Sequence, residues 1–109
     1  MTTTIPHIEA LAMSDAQAAA VQKTPNRVSL DHIHACIGGI EYHSPALAPH
    51  LTVAFVHLRN GYVVIGKSAP ADPANFDAEL GKKFAVEDAI NQVWPLEAYA
   101  LLERMREEG

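Results

Sequence analysis

The stretch Leu51-Thr52-Val53-Ala54-Phe55-Val56-His57-Leu58-Arg59-Asn60-Gly61-Tyr62-Val63-Val64-Ile65-Gly66 decides the fold. Two runs rich in β-branched and aromatic residues, 51–58 and 62–66, flank Asn60-Gly61. That pair is preferred in a two-residue type I′ turn, whose central residues both take positive φ. Such a turn sets Arg59 opposite Tyr62, Leu58 opposite Val63, His57 opposite Val64 and Val56 opposite Ile65. One face then carries Val56, Leu58, Val63 and Ile65 toward a core, and the other carries Phe55, His57, Arg59, Tyr62 and Val64. A lone hairpin is marginally stable in water, so the ribbon needs helices or another subunit against it.

Helical patterns lie on both sides. Pro6 to Gln22 reads as an alanine-rich helix, marginal unless docked, and Lys23-Thr24-Pro25-Asn26 breaks it. Ser29 is an N-cap for a second helix with Leu30, Ile33 and Cys36 or Ile37 on one face, ended by Gly38-Gly39. Ser44, Pro45 and Pro49 mark Tyr42 to His50 as an irregular connection. Beyond the ribbon, Asp72-Pro73 signals a helix start. The spacing of Phe76, Leu80, Phe84, Ala85, Ala89 and Val93 predicts a helix from about Pro73 to Val93. Trp94-Pro95 is expected to break it, with Pro95 opening a last helix that bears Leu96, Tyr99, Leu102 and Met105. The expected fold class is α+β: N-terminal helices, a central antiparallel β-hairpin and two C-terminal helices, assembled as a homo-oligomer.

Composition bounds the function. The chain has 109 residues, 49% of them hydrophobic and 19% charged, which is one globular domain rather than a disordered tail. Eight Lys and Arg against 13 Asp and Glu give a net charge of −5, which disfavours long nucleic acid while leaving room for one small anionic ligand. The lone cysteine, Cys36, excludes an internal disulfide framework. No apolar run approaches the roughly 20 residues of a membrane span. The opening Met1-Thr2-Thr3-Thr4-Ile5-Pro6 has no basic n-region, so no signal peptide is read and a cytoplasmic location is expected.

The candidate chemistry is sparse. Six histidines show no metal-ligand pattern, so they read as surface or structural groups, with no metal and no cofactor expected. His32 and Cys36 share a helical face, yet a thiol–imidazole dyad needs an orienting third group that no motif supplies, and Cys36 reads as a packing residue beneath the hairpin. No catalytic residue is assigned. From Gly66-Lys67-Ser68-Ala69 the chain runs into a helix start near Asp72 to Asn75, where free backbone amides could hold an anion. Tyr62 could stack a purine and Asn75 could bond a base edge or ribose, but on the residues alone sheet cover and turn capping are the better explanation of both.

Several spaced segments together resemble a family of small proteins of tailed phages and prophages. They are Arg59-Asn60-Gly61-Tyr62, Gly66-x-Ser68-Ala69, the run from Asp72 to Gly81, Ala85-x-x-x-Ala89, and Val93-Trp94-Pro95-Leu96-Glu97-x-Tyr99. The resemblance covers roughly Arg27 to Leu102, dividing the chain into a variable helical segment, 1–26, and a single α+β phage-protein domain, 27–109. This group looks similar to the Thoeris anti-defence proteins, homo-oligomeric sponges that bind cyclic ADP-ribose signals without cleaving them. Tyr62 stands where a phenylalanine is expected and Lys67 where an acid is expected. The resemblance implies a non-enzymatic phage protein in the host cytoplasm, a dimer or trimer of dimers. It would sequester cyclic ADP-ribose isomers and cyclic di- or trinucleotides, without long nucleic acid or membrane as partner. The implied ligand-binding set is Tyr62, Asn75, Ser68, Arg59, Lys67, Phe76, Arg27 and Lys82, with Tyr62 and Asn75 meeting in a cavity shared between copies. The alternative is an accessory phage protein that binds and inhibits a host protein.

Overall fold

The computed structural model describes residues 4–109; Met1, Thr2 and Thr3, on which part of the signal-peptide reading rests, lie outside the described residues. The chain runs α1 (Glu9–Ala20), α2 (Leu30–Cys36), β1 (Ile37–His43), β2 (Thr52–Leu58), β3 (Val63–Ser68), a 3-10 turn (Pro73–Asn75) and α3 (Ala78–Glu108). The strands form one antiparallel sheet in the order β1-β2-β3, with α3 laid across one face. The architecture is α+β, as the sequence pattern predicts.

The hairpin exists, but its turn differs from the expected one. Gly61 alone has positive φ, at 95°, while Asn60 does not, which excludes type I′. The Gly61 N–H donates to the Leu58 carbonyl at 3.0 Å and the Leu58 N–H to the Tyr62 carbonyl at 2.8 Å, so the loop has three residues ending in a left-handed glycine. The extra loop residue moves the register by one: His57 faces Val63, Val56 faces Val64 and Phe55 faces Ile65. Because strand side chains alternate, every residue of β3 changes face. Val64 and Gly66 turn inward, while Val63 and Ile65, expected in the core, are exposed.

A third strand corrects the two-stranded reading. Gly38-Gly39 does not end in a loop; α2 passes directly into β1, whose register against β2 shifts between Ile37 and Gly39. Glycine-rich composition hid this strand, yet Ile37, Ile40 and Tyr42 line up with Leu58, Val56 and Ala54 on the helix-facing side.

The two expected C-terminal helices are one helix of 31 residues, with Pro95 inside it. Proline removes one backbone donor and ordinarily ends a helix. Here tertiary contacts hold both sides of the interruption. Just before it the Trp94 indole Nε1–H donates to the Val28 carbonyl at 3.1 Å, and just after it Glu97 bonds His32 at 2.6 Å. The buried stripe is Gly81, Ala85, Val86, Ala89, Ile90 and Val93, whereas Leu80 and Phe84 of the expected stripe lie largely exposed beside it. The expected helix start at Pro73 is the 3-10 turn, capped by Asp72, and Asp77 caps α3 with its Oδ1 accepting from the Leu80 N–H at 3.0 Å.

Small residues let α3 lie close on the sheet. A Cβ at Gly66 would stand 2.0 Å from the Ala85 carbonyl oxygen and 2.5 Å from the Ala89 nitrogen, so backbone meets backbone there. The same helix covers the outer edge of β3. The Lys67 N–H donates to the Asp88 carboxylate at 3.0 Å and Gln92 Nε2 donates to the Ile65 carbonyl at 2.7 Å. The α1 helix is tied by Asp15, whose Oδ1 accepts from Arg27 at 2.7 Å and from the Leu30 N–H at 2.9 Å.

Two outcomes are expected. Gly66→Ala forces β3 and α3 apart and costs at least about 3 kcal/mol, read as a lower urea midpoint. The Asp15 carboxyl is held below its ordinary value, chiefly by its Arg27 bond and then by the Leu30 amide. Its contribution is therefore complete above about pH 4 and lost as pH falls through the lowered value. Arg27→Ala should shrink that acid dependence to the part the Leu30 amide supports and leave α1 more readily cleaved by protease at neutral pH.

Candidate functional site

Three of the expected ligand residues meet. Ser68 ends β3 and Asn75 and Phe76 end the 3-10 turn, and all three line a cleft of about 140 Å³ closed by Leu80, Gly81 and Phe84 of α3. The cleft forms because the chain must turn from the end of β3 back to the start of α3, which is pinned near Thr52 by Gly81. A Cβ at Gly81 would stand 2.7 Å from the Thr52 hydroxyl oxygen. The exposed Leu80 and Phe84 are thus a cleft wall rather than core.

The amides expected to cradle an anion are already engaged. The Ala74 N–H donates to Asp72 Oδ1 at 2.9 Å, the Asn75 N–H to the Asp72 carbonyl at 3.0 Å and the Phe76 N–H to the Pro73 carbonyl at 3.2 Å. With two capping carboxylates, Asp72 and Asp77, beside it, this corner repels a phosphate. It suits an uncharged, flat group able to use the Ser68 hydroxyl, the Asn75 amide and the Phe76 ring.

The other five expected residues stand elsewhere. Tyr62 is exposed at the far end of β3, about 20 Å from Ser68 for six residues of strand, so in a single chain it does not meet Asn75. Arg59 is a structural clamp: its Nε donates to the Ala35 carbonyl at 2.7 Å and its backbone N–H to the Cys36 carbonyl at 2.8 Å. Lys67 lies on the exposed face of β3. The Lys82 ammonium sits 5.3 Å from the centre of the Tyr42 ring and 3.9 Å from Glu79. Arg27 pairs with Asp15 beside a groove of about 830 Å³ between α1 and the second half of α3, whose apolar wall includes Leu11, Val28, Trp94, Ala98, Leu101 and Met105.

A further cluster joins α2 to α3. His32 and Cys36 do share a face, and Glu97, 61 residues beyond Cys36, supplies the third group that no motif announced. The His32 Nε2–H donates to Glu97 Oε1 at 2.6 Å, the Cys36 thiol donates to the same oxygen at 3.4 Å, and Cys36 Sγ lies 3.7 Å from His32 Nε2. Among the described residues these three are the group whose donor atoms could hold one metal ion, all lying within 4.8 Å of one another. Cys36 is therefore not simply packed beneath the hairpin. Burial, and then the Glu97 carboxylate, push its thiol above the ordinary range, while the His32 bond holds Glu97 below its own. A raised thiol is a poor nucleophile at neutral pH, so the trio does not form an activated thiol–imidazole pair. Glu97→Gln should lower the thiol pKa and speed iodoacetamide alkylation of Cys36 at pH 8 by several-fold, measured by mass spectrometry.

No helix among the described residues is long and apolar enough to cross a membrane. Comparison with curated proteins and with solved structures finds no match. A family profile does match residues 28–105, from just before α2 to near the end of α3, leaving α1 outside. That span holds the sheet, the cleft and the His32–Cys36–Glu97 cluster, and on this match the chain belongs to the phage protein (N4 Gp49/phage Sf6 gene 66) family.

Proposed function

We propose that this phage protein binds a cyclic nucleotide signal, such as a cyclic ADP-ribose isomer or a cyclic di- or trinucleotide, and sequesters it uncleaved in the host cytoplasm. The observation that carries this reading is the cleft where Ser68, Asn75 and Phe76 stand together. A hydroxyl, a primary amide and a ring are what a base or ribose needs: hydrogen bonds on an edge and stacking on a face.

The cleft's size adds a condition. Drug-sized ligands fill pockets of roughly 300–1,000 Å³, so a cleft of about 140 Å³ holds one part of a cyclic nucleotide and a second copy must enclose the rest. The same copy would bring cations to the phosphates, which Asp72 and Asp77 cannot hold, and its hairpin end offers an exposed Tyr62 for a second base. The open sheet face sets Phe55, Val63 and Ile65 beside the His57–Glu41 pair and Lys67, a mixed surface available for such assembly. An inhibitor of a host protein would use the same face, but that reading leaves the cleft of Ser68, Asn75 and Phe76 without a purpose.

Isothermal titration of the full chain with cyclic ADP-ribose isomers and cyclic di- and trinucleotides tests the reading. Binding well below micromolar is expected, with intact ligand recovered after heat denaturation. Phe76→Ala and Asn75→Ala should each weaken it about 10- to 100-fold, the range for losing one stacked or hydrogen-bonded base. Absence of heat across the whole panel overturns the proposal.

A further inference from the structure

We propose that His32, Cys36 and Glu97 form a zinc site with three protein ligands and an open fourth position. This rests on the donor geometry and is independent of nucleotide binding. Ligands at about 2.0 to 2.3 Å from a tetrahedral zinc ion lie about 3.3 to 3.6 Å from one another. The two sulfur separations, 3.7 Å to His32 Nε2 and 3.4 Å to Glu97 Oε1, are close to those edges. The third, 2.6 Å between His32 Nε2 and Glu97 Oε1, is a hydrogen bond that must open by under 1 Å as the ion replaces the shared proton.

The backbone beneath these donors is fixed. His32 and Cys36 are i,i+4 on α2, so both project from one face. The C-terminal end of α2 is pinned by Arg59, through Ala35 and Cys36, and it continues without a loop into β1. Glu97 lies one turn after Trp94, whose indole anchors α3 to Val28. The charges fit as well. A thiolate and a carboxylate neutralise a divalent ion, and a thiolate–imidazole–carboxylate set suits zinc better than the oxygen-seeking magnesium or calcium. Arg59 and Arg104 are the nearby cations that Cys36 and Glu97 feel, and each acts more weakly than the contacts within the trio. Binding releases the thiol proton to solvent. The His32 Nε2 proton leaves as well, to solvent from the imidazolium or to Nδ1 by a change of tautomer from the neutral ring, so His32 coordinates through Nε2 with one proton on Nδ1.

The His32 side chain is 43% exposed and that of Glu97 21%, so the ion would remain open to water on one side. Three protein ligands and a water are the pattern of zinc sites that take up an exchangeable anion, not of closed structural sites. The site is on α2 and the later part of α3, whereas the cleft lies between the Ser68 end of β3 and the start of α3.

Titration of the metal-stripped full-length protein with Co²⁺, a spectroscopic stand-in for zinc, tests the proposal, followed by displacement with Zn²⁺. One Co²⁺ per chain is expected, with tetrahedral d–d bands and a thiolate-to-cobalt charge-transfer band that zinc abolishes. Cys36→Ser should remove the charge-transfer band. His32→Gln and Glu97→Gln should each weaken zinc binding by at least about tenfold, since even outer groups around metal ligands are worth 10- to 100-fold. His34→Gln, on the same helix but outside the trio, should change nothing. The proposal fails if the wild-type protein shows no charge-transfer band at a one-to-one ratio, or if that band survives in Cys36→Ser. Because the wild-type titration needs no substitution, a variant that fails to fold does not rescue the idea.

Discussion

The contact between Gly66 and the backbone of α3 is the constraint on which this architecture rests. No side chain fits there, since a methyl group would overlap the Ala85 carbonyl and the Ala89 amide. The helix is therefore held at backbone distance from β3, near enough for two polar side chains one turn apart, Asp88 and Gln92, to bond the outer edge of that strand. The contact also sets the rotation of α3. With Gly81, Ala85 and Ala89 down against the sheet, Val86, Ile90 and Val93 are buried with them, and Leu80 and Phe84 turn out to wall the cleft.

Both candidate sites follow from that one placement. At its amino end α3 meets the chain returning from β3, and the narrow gap holds Ser68, Asn75 and Phe76. Farther along, the same helix passes α2 and carries Glu97 to the pair of donors on its face. Continuity through Pro95 matters here. Had the helix ended at Trp94, the direction of the following residues would be set by a loop, and Glu97 would have no fixed relation to His32. An interior proline costs a helix about 3 kcal/mol, and the Trp94–Val28 and Glu97–His32 bonds on either side of Pro95 work against that cost.

Much of the fold was legible in local chemistry. Ser29 and Asp72 signal helix starts, and each does accept from a backbone amide at an element start, whereas Asp77, which the pattern places inside the helix, is the cap of α3. The β2 and β3 runs are strands because their composition admits little else. The errors came where a local preference met a stronger distant one. Asn60-Gly61 prefers a two-residue turn, but Gly66 has to face α3, and only the register with a three-residue loop turns it inward. Gly38-Gly39 looks like a helix stop and becomes strand because β2 offers it a partner. The cleft residues were visible because they lie within one short segment, whereas Tyr62 was grouped with them by sequence nearness that an extended strand turns into distance.

By itself the sequence determined the first two helices, the β2 and β3 strands, the Ser29 and Asp72 caps, the α+β class and the stretch from Ser68 to Phe76 that borders the cleft, since each depends on residues within a turn or two of one another. Tertiary structure alone decided the register of β3, the third strand, the unbroken α3 and the meeting of Glu97 with His32 and Cys36. Those depend on which surfaces can approach closely, and that approach is governed by the absence of a side chain at Gly66 and by packing between residues far apart in the chain.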